Sequence, residues 1–186
     1  MADRPYPSHW NRELILRDGS RVPVRPIRPD DESKLLQLLQ SVSKEDLRLR
    51  FFDSIKEFSH EFLVKLTQLD YSRAMAFVAL DETGDVIIGV VRLHRDATYE
   101  NGEFAILIRS NLKGRGLGWA LMQLIIEYAT SEGLKVISGQ IMHENSVMID
   151  MCRELGFEVE ADPIERDIYN VTLTLPVSSV AKVPGA

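Results

Sequence analysis

Three consecutive β-rich segments occupy the middle of this 186-residue chain and restrict the folds open to it. They read AMAFVALD (74–81), VIIGVVRLHR (86–95) and GEFAILIR (102–109), and a glycine-containing turn joins the first two. Their residue types and spacing are typical of strands. Strands that follow one another without an intervening helix favour antiparallel pairing, because a parallel connection needs a crossover of about a dozen residues or more.

Helical patterns lie on both sides of these strands. Before them, three segments carry apolar residues at helical spacing, and Asp30, Ser43 and Ser59 are placed to cap their N-termini. After them come an apolar helix pattern that ends at Gly133, a strand, a short helix from about Asn145 and two further strands. A hairpin pattern with an Asp-Gly turn opens the chain. This order predicts an α/β protein whose mixed central β-sheet has helices on both faces.

Length and composition favour one globular domain, which we expect to span residues 13–176. Residues 1–12 predict a linker or disordered lead, and residues 177–186 predict a disordered tail. A net charge of −6 argues against a nucleic-acid partner. Cys152 is the only cysteine, which excludes an internal disulfide, and no apolar run approaches the roughly 20 residues that span a bilayer. A cytoplasmic protein that binds neither membrane nor nucleic acid is expected.

A run of alternating glycines stands immediately before the long apolar helix pattern. Gly114, Gly116 and Gly118 are interleaved with Lys113 and Arg115. A helix N-terminus presents free N–H groups and a partial positive charge, and glycines allow the positive φ angles that turn successive N–H groups toward one anion. The loop therefore predicts a phosphate or pyrophosphate site, against the alternative of a flexible connector with solvated cations.

Two familiar phosphate-binding motifs do not fit this loop. A P-loop requires Lys followed by Ser or Thr after its last glycine, whereas Gly118 is followed by Trp119. The dinucleotide-binding pattern G-x-G-x-x-G fails because Trp119 stands where its third glycine belongs. The loop also lies late in the chain, after strands of antiparallel type, and not in an opening βαβ unit.

The loop has a different counterpart. KGRGLG, from Lys113 to Gly118, resembles the Arg/Gln-x-x-Gly-x-Gly/Ala loop of the GNAT superfamily of acyl-CoA-dependent N-acyltransferases, with Lys113 at the Arg/Gln position. A second segment, NSVMIDMCRELGF, resembles the Asn-led helix of that superfamily, with Asn145 and Gly156-Phe157 in register. Two motifs in the right order, separated by one strand, are more specific than either alone.

The resemblance extends to one branch of the superfamily. The segments LRDGSRVPVRPIRPDDESKLLQLL, LRLRFF and GEFAILIRSNLKGRGLG resemble the acetyltransferase domain of Pat-type protein lysine acetyltransferases, over roughly residues 13–175. In many of those proteins the domain follows an acyl-CoA-synthetase-like region. The resemblance therefore implies either an excised domain or a stand-alone relative, fused to or interacting with such a region.

The resemblance also implies acetyl-CoA as co-substrate, with its pyrophosphate in the glycine loop. The strand before the loop is expected to be bulged and splayed from the next strand, so that its freed backbone groups bind the pantetheine arm. Gly139 in that next strand fits the close approach of a ligand. The expected cofactor-binding residues are Ile106, Leu107, Ile108, Lys113, Gly114, Arg115, Gly116, Leu117, Gly118, Trp119, Asn145 and Met148.

Acetyl transfer to an amine requires removal of a proton, because a free lysine with a pKa near ~10.4 is almost fully charged at neutral pH. Glu103 is the candidate general base: it opens an otherwise apolar strand, and such local inconsistencies often mark function. In the Pat-like proteins a glutamate at this position is taken as the base. The alternative is a solvated carboxylate at a strand end.

Other candidate groups are excluded or left without a role. Many GNAT enzymes have a tyrosine acid seven residues after the asparagine, and Cys152 stands there instead, where we expect a core residue. The four histidines show no metal-ligand spacing, so no metal is expected.

Three functions remain open from the sequence. The first is acetylation of a protein lysine, for example on an acyl-CoA synthetase, and the second is acetylation of a small amine. The third is a non-catalytic acyl-CoA-binding module that regulates a partner. Residues 43–73, where the acceptor pocket is expected, do not distinguish among them.

Overall fold

The computed structural model describes residues 4–52 and 57–177. The strands are β1 (Arg12–Ile15), β2 (Arg21–Pro26), β3 (Ala74–Leu80), β4 (Ile87–Arg95), β5 (Asn101–Ile108), β6 (Val136–Met142), β7 (Glu158–Ala161) and β8 (Ile168–Thr174). The helices are α1 (Glu32–Ser41), α2 (Lys44–Phe51), α3 (His60–Thr67), α4 (Leu117–Ser131) and α5 (Ser146–Glu154). Within the described residues the strands form one sheet in the order β1-β2-β3-β4-β5-β6-β8-β7.

The sheet is mixed, as the sequence predicted. Strands β1 to β5 pair antiparallel in chain order, and β6, β8 and β7 form a second antiparallel group. The two groups meet where β5 pairs with β6 in parallel, with α4 as the crossover between them. The predicted α/β fold with a mixed central sheet is thereby confirmed.

Local capping chemistry sets most of the helix boundaries. The hydroxyls of Ser43 and Ser59 accept hydrogen bonds from backbone N–H groups of α2 and α3, as predicted, and the Asn145 side chain does the same at α5. The predicted cap Asp30 is wrong: a 3₁₀ turn precedes α1, and the carboxylate of Asp31 binds Arg25 instead. No helix in the described part of the chain is long and apolar enough to cross a membrane.

The two faces of the sheet bury separate apolar clusters. Alternation along the strands directs neighbouring side chains to opposite faces, so Phe77 faces α4 while Val78 faces α1 and α3. The α4 face includes Leu121 and Ile125, which are fully buried. Helices therefore cover both faces, and the strands between them hold β5 in a fixed position.

The N-terminal segment differs from the expected linker or disordered lead. Residues Ser8–Trp10 form a 3₁₀ turn, and Trp10 is buried against the rings of Phe77 and Tyr128. The Tyr6 hydroxyl donates to the Pro26 carbonyl oxygen at 2.6 Å. Aromatic burial thus attaches residues 4–12 to the domain, and of the predicted tail only Val177 lies within the described residues.

Candidate active site

Strands β5 and β6 diverge along their length and open a cleft between them. They pair only at their first residues, where Asn101, Gly102 and Glu103 lie opposite Val136, Ile137 and Ser138. The cleft has a volume of about 700 Å³ and extends from Glu103 to the glycine loop. Splaying of these strands, expected from the family resemblance, is therefore present in the described residues.

The backbone of β5 is free on the side that faces this cleft. Arg109 N donates to Ile88 O at 2.9 Å, and the β4–β5 register runs without interruption, so odd-numbered residues of β5 bond to β4. Ile106 and Ile108 consequently direct their N–H and C=O groups toward the cleft. Leu107 contributes a side chain only, because its backbone faces β4. The expected bulge is absent from this register.

The glycine loop has the conformation that its sequence predicted. Gly114 and Gly116 have φ angles of +84° and +85°, and Gly116 is the residue that caps α4. No acidic residue occupies the first turn of α4. The N–H groups of Leu117, Gly118 and Trp119 belong to that turn and lack helical partners, so they are available to an anion.

Two glycines allow close packing around the cleft. A Cβ atom on Gly118 would lie 3.0 Å from the Ile108 Cδ1 atom, so this glycine lets α4 approach β5 closely. A Cβ atom on Gly139 would lie 2.8 Å from the Phe104 ring. The interpretation that Gly139 admits a ligand is therefore wrong, because an aromatic side chain of the core fills that space.

Three cations surround the glycine loop. Lys113 Nζ lies 2.5 Å from an Asp46 carboxylate oxygen on α2, and Arg115 reaches Asp18 at 3.4 Å. Arg17 stacks over the Trp119 ring at 5.6 Å from its centroid. Burial raises the pKa of Asp46, but hydrogen bonds from Lys113 and Ser110 outweigh this effect and lower the pKa below its ordinary value. Asp46 therefore remains a charged partner of Lys113.

The structure brings most of the predicted cofactor-binding residues to one surface. Two of them do not line the cleft: Leu117 has its side chain in the core, 2% exposed, and Arg115 points toward Asp18. The predicted residues that do line it are Ile106, Leu107, Ile108, Lys113, Gly114, Gly116, Gly118, Trp119, Asn145 and Met148.

The opposite end of the cleft carries Glu103 among positively charged residues. Glu103 is exposed, lines the cleft and lies opposite His94 in the β4–β5 ladder. Arg50 of α2 lines the same end, where burial lowers its pKa to about 10 and Glu103 opposes the shift. Burial, followed by the charge of Arg92, lowers the pKa of His94. Neutral imidazole is therefore the dominant form of His94 at pH 7.

Helix α2 contributes site residues that no sequence motif assigned. Its last residues lead to Phe52, whose φ of +61° ends the helix and leaves the ring 42% exposed at the cleft wall. Arg48 bridges to Glu144 on the far side of the cleft at 2.8 Å. In the sequence, the LRLRFF segment of this helix resembles Pat-type proteins, but the resemblance assigns no role to any of its side chains.

Cys152 is a core residue, as predicted. Its side chain is fully buried, and burial raises the pKa of the thiol to about 12. It is not among the residues that line the cleft. Within the described residues, no group of three His, Cys, Asp or Glu side chains could hold a metal ion.

The geometry of this cleft indicates the class of ligand that the protein binds. The cleft joins an anion-binding helix N-terminus to a free strand edge and ends at a carboxylate, an arrangement suited to an extended thioester that carries a diphosphate. A family model described as the Acetyltransferase (GNAT) family matches residues 39–157. This chain belongs to the GNAT acetyltransferase family, and acetyl-CoA is its co-substrate.

Individual relatives support the same assignment. The chain is 33% identical over 157 residues to Acetyltransferase PA5475 of Pseudomonas aeruginosa, and the match covers 83% of each protein. It is 25% identical over 170 residues to Acetyltransferase Pat of Mycolicibacterium smegmatis, which covers 91% of this chain and 50% of Pat. The crystal structure of the GNAT domain of S. lividans PAT superposes with a TM-score of 0.85 at 27% identity, over 92% of this chain and all of that domain.

The residues present fit the co-substrate. The loop offers free N–H groups and cations to a diphosphate, and Gly114 has no atom within 4 Å of the position a Cβ would take. The free backbone of Ile106 and Ile108 offers donors and acceptors to an extended amide-containing arm. The apolar side chains of Met148 and Met151 complete the wall.

Proposed function

We propose that this GNAT enzyme acetylates a primary amine with Glu103 as general base, and that the acceptor is a protein lysine. The observation that supports the base most directly is the position of Glu103. It is an exposed carboxylate at the point where β5 leaves β6, in the same cleft as the glycine loop. Glu144 and Asp46 also line the cleft, but Arg48 engages the first and Lys113 the second.

The chemistry requires a neutral amine and an activated acyl group. Acetyl-CoA supplies the activated group as a thioester. Glu103 accepts a proton from the ammonium group, directly or through one water, and the amine nitrogen then attacks the thioester carbonyl carbon. The new C–N bond replaces the C–S bond, and the nitrogen releases its second proton to solvent. The sulfur leaves as thiolate, which takes a proton from solvent. Cys152 takes no part, because it is buried away from the cleft.

The backbone of β5 has a second role in this proposal. The N–H groups of Ile106 and Ile108 face the cleft and are free of β4, so either can donate a hydrogen bond to the thioester oxygen as negative charge develops there. Such a donor is preorganised by the strand and needs no rearrangement during the reaction. Glu103 and these donors lie on one strand, which holds base and electrophile at fixed separation.

The proposal of a protein lysine rests on the resemblance to Pat-type enzymes. The chain covers the GNAT domain of S. lividans PAT completely, but only half of the Pat protein of M. smegmatis. A cytoplasmic location and an acyl-CoA synthetase as the lysine-bearing partner, joined to or interacting with this domain, are parts of the same proposal.

A small amine is the second candidate, and one observation favours it. The acceptor end of the cleft is lined by Arg50 beside Glu103, with Arg92 behind them, and this is not the acidic groove that would attract a lysine-rich surface. The two candidates differ in the size of the acceptor and in its charge.

One assay separates the candidates. The protein is incubated with acetyl-CoA and either purified acyl-CoA synthetases or a panel of amino acids and polyamines, while CoA release is recorded. Acetyl-lysine on a synthetase, located by mass spectrometry, supports the first proposal, and CoA release with a small amine alone supports the second. Tight CoA binding without transfer to any acceptor would instead support the non-catalytic module.

A further inference from the structure

Arg92 is a buried guanidinium whose hydrogen bonding is incomplete. It is 4% exposed on β4, and its Nη1 atom donates to the Leu66 carbonyl oxygen of α3 at 2.7 Å. Its Nη2 atom is buried and has no hydrogen-bond partner in the described part of the chain. Burial, with a smaller contribution from the charge of Arg50, lowers the pKa of Arg92 to about 9. Leaving a buried donor of a charged group unsatisfied is costly, so Nη2 requires a partner that the described residues do not supply.

Arg50 faces the same space from the opposite wall. It lies on α2 and lines the acceptor end of the cleft together with Glu103 and Ala105. Arg92 is the cross-strand partner of Ala105, so it lies directly beside a cleft residue that has only a methyl side chain. The two guanidinium groups therefore flank one region from two different elements.

The charges of the described residues in this region do not balance. Within residues 4–52 and 57–177 neither Arg50 nor Arg92 forms a salt bridge, and Glu103 is the carboxylate whose charge raises the pKa of Arg50. The uncharged His94 adds no positive charge at pH 7, so two guanidinium groups face one carboxylate. Excess charge of one sign in a desolvated region is unfavourable unless a ligand of opposite charge enters.

We propose that Arg50 and Arg92 form a carboxylate-binding subsite, so that the acceptor carries a carboxylate close to the amine that Glu103 deprotonates. A guanidinium presents forked donors that match the two oxygens of a carboxylate. Arg50 contacts the acceptor from the cleft wall, and Arg92 Nη2 supplies a second donor from beside Ala105. This subsite deepens the proposed function and depends on it only for the identity of the reacting amine.

The required carboxylate has two possible sources. In a free α-amino acid it is attached to the carbon that bears the amine. In a protein it belongs to an acidic side chain next to the acetylated lysine. Both place an anion beside the nucleophile, and the experiment below tests each source separately.

The first test compares acceptors that differ in the carboxylate alone. L-phenylalanine and L-methionine are compared with their primary amides, and lysine peptides with a preceding glutamate are compared with peptides that have a preceding glutamine. We expect kcat/KM to be at least about tenfold higher for the acid form of one pair type, mainly through KM. The amide has the less basic amine, because it lacks the neighbouring negative charge, so amine ionisation works against this result.

The variants assign the preference to the two arginines. In Arg50→Gln the acid-over-amide ratio is expected to fall to about one, and Arg92→Lys is expected to lose most of it, because lysine keeps the charge without the fork. Lys44→Gln removes one exposed positive charge from the same helix and is expected to retain the full ratio. An unchanged ratio in Arg50→Gln would overturn the proposal, even if the Arg92 variant does not fold.

A binding measurement separates this subsite from the acetyl-transfer proposal. Calorimetry records butyrate and butyramide binding to the protein saturated with CoA. Arg50-dependent binding of butyrate alone would support the subsite even if no amine is acetylated. Acetylation of acids and amides at equal kcat/KM would overturn the subsite and leave the proposed activity intact. If neither ligand binds and no amine reacts, both proposals are wrong.

Discussion

The two ends of the cleft are built from different materials. The nucleotide end consists mainly of main-chain groups, namely the N–H groups that follow Gly116 and the free edge of β5. The acceptor end consists of charged side chains, Glu103, Arg50 and Arg92, carried by three separate elements. Main-chain groups suit a diphosphate and an amide chain that all acyl-CoA substrates share, whereas side chains can change from one protein to the next without altering the fold.

The largest expected effect comes from replacing the proposed base at the acceptor end, which should lower kcat without changing binding at the nucleotide end. We expect Glu103→Gln to lower kcat by about 10²–10⁴-fold, because the amine keeps its proton, and to leave CoA affinity unchanged. Single-turnover acetylation and calorimetry with CoA measure the two quantities. Glu158→Gln, an exposed glutamate on β7, is the matched control. Equal rates for Glu103→Gln and wild type would remove the base from the mechanism.

Loss of the buried ion pair between Arg25 of β2 and Asp31, just before α1, is expected to have the next largest effect, on the free energy of unfolding. Arg25 binds both oxygens of Asp31 at 2.7 Å, and both side chains are almost inaccessible to water. Asp31→Asn leaves Arg25 buried without its anion, so the free energy of unfolding should fall by about 3 kcal/mol at pH 7. Urea unfolding measures this change, while the CoA affinity of the folded variant should match that of wild type.

This ion pair also predicts a pH dependence. Burial raises the pKa of Asp31, but hydrogen bonds from Arg25 and Arg28 outweigh burial and hold the pKa below its ordinary value. Such a carboxyl stabilises the fold above its unfolded pKa of about 3.9, and the contribution is lost as pH falls toward the folded pKa. The stabilities of wild type and Asp31→Asn should therefore converge in acid. A constant difference from pH 7 to pH 3 would contradict this explanation.

The nucleotide end can be tested through backbone conformation alone. Gly116→Ala places a side chain at a φ of +85°, which costs about 1–2 kcal/mol, and the loop can relieve this strain by turning its N–H groups away from the ligand. We expect the dissociation constant for CoA to rise about tenfold.

A second glycine provides the control for this strain. Gly84 has a φ of +77° in the β3–β4 turn, and nothing lies within 4 Å of its added Cβ. Gly84→Ala should therefore lose similar thermal stability while CoA binding stays at the wild-type value. If both variants bind CoA equally, the loop conformation does not contribute to recognition.

The smallest expected effect concerns the ion pair between Asp46 of α2 and Lys113 of the glycine loop. Asp46→Asn weakens the ion pair that holds Lys113, so Lys113 becomes available to the diphosphate and the dissociation constant for CoA should fall about two- to fivefold. Glu45→Gln is the control, since Glu45 pairs with Arg48 on the same helix and not with Lys113. Weaker CoA binding in Asp46→Asn would show that the carboxylate positions Lys113 and does not compete for it.

Local patterns account for what the sequence predicted. The alternating glycines, the start of a helix near Asn145 and the lone glutamate in an apolar strand each depend on a few adjacent residues, and their conformations follow from local backbone preferences. The loop and β5 were therefore predictable before the structure was known. The family motif includes Leu117, although helical periodicity directs its side chain into the core.

Long-range packing accounts for the remainder. Arg50 and Arg92 are 42 positions apart, and only the packing of α2 against β5, the neighbour of β4, brings them to one region. The role of Gly139 depends on Phe104, which packs against it from the neighbouring strand. Hydrophobic periodicity gives the direction of a side chain within its own element, but it does not identify the neighbour contributed by another element.

Helix α2 spans the cleft with only eight residues. Asp46 and Arg50 are one turn apart, about 6 Å along its axis, and they touch opposite ends of the cleft. A diphosphate that draws Lys113 away from Asp46 would alter the first turn of the same short rod that carries Arg50. If binding of the acyl donor changes the affinity for an acceptor held by Arg50, thermodynamic reciprocity requires the acceptor to change the affinity for the acyl donor by the same factor. One turn of helix would then couple the binding of the two substrates.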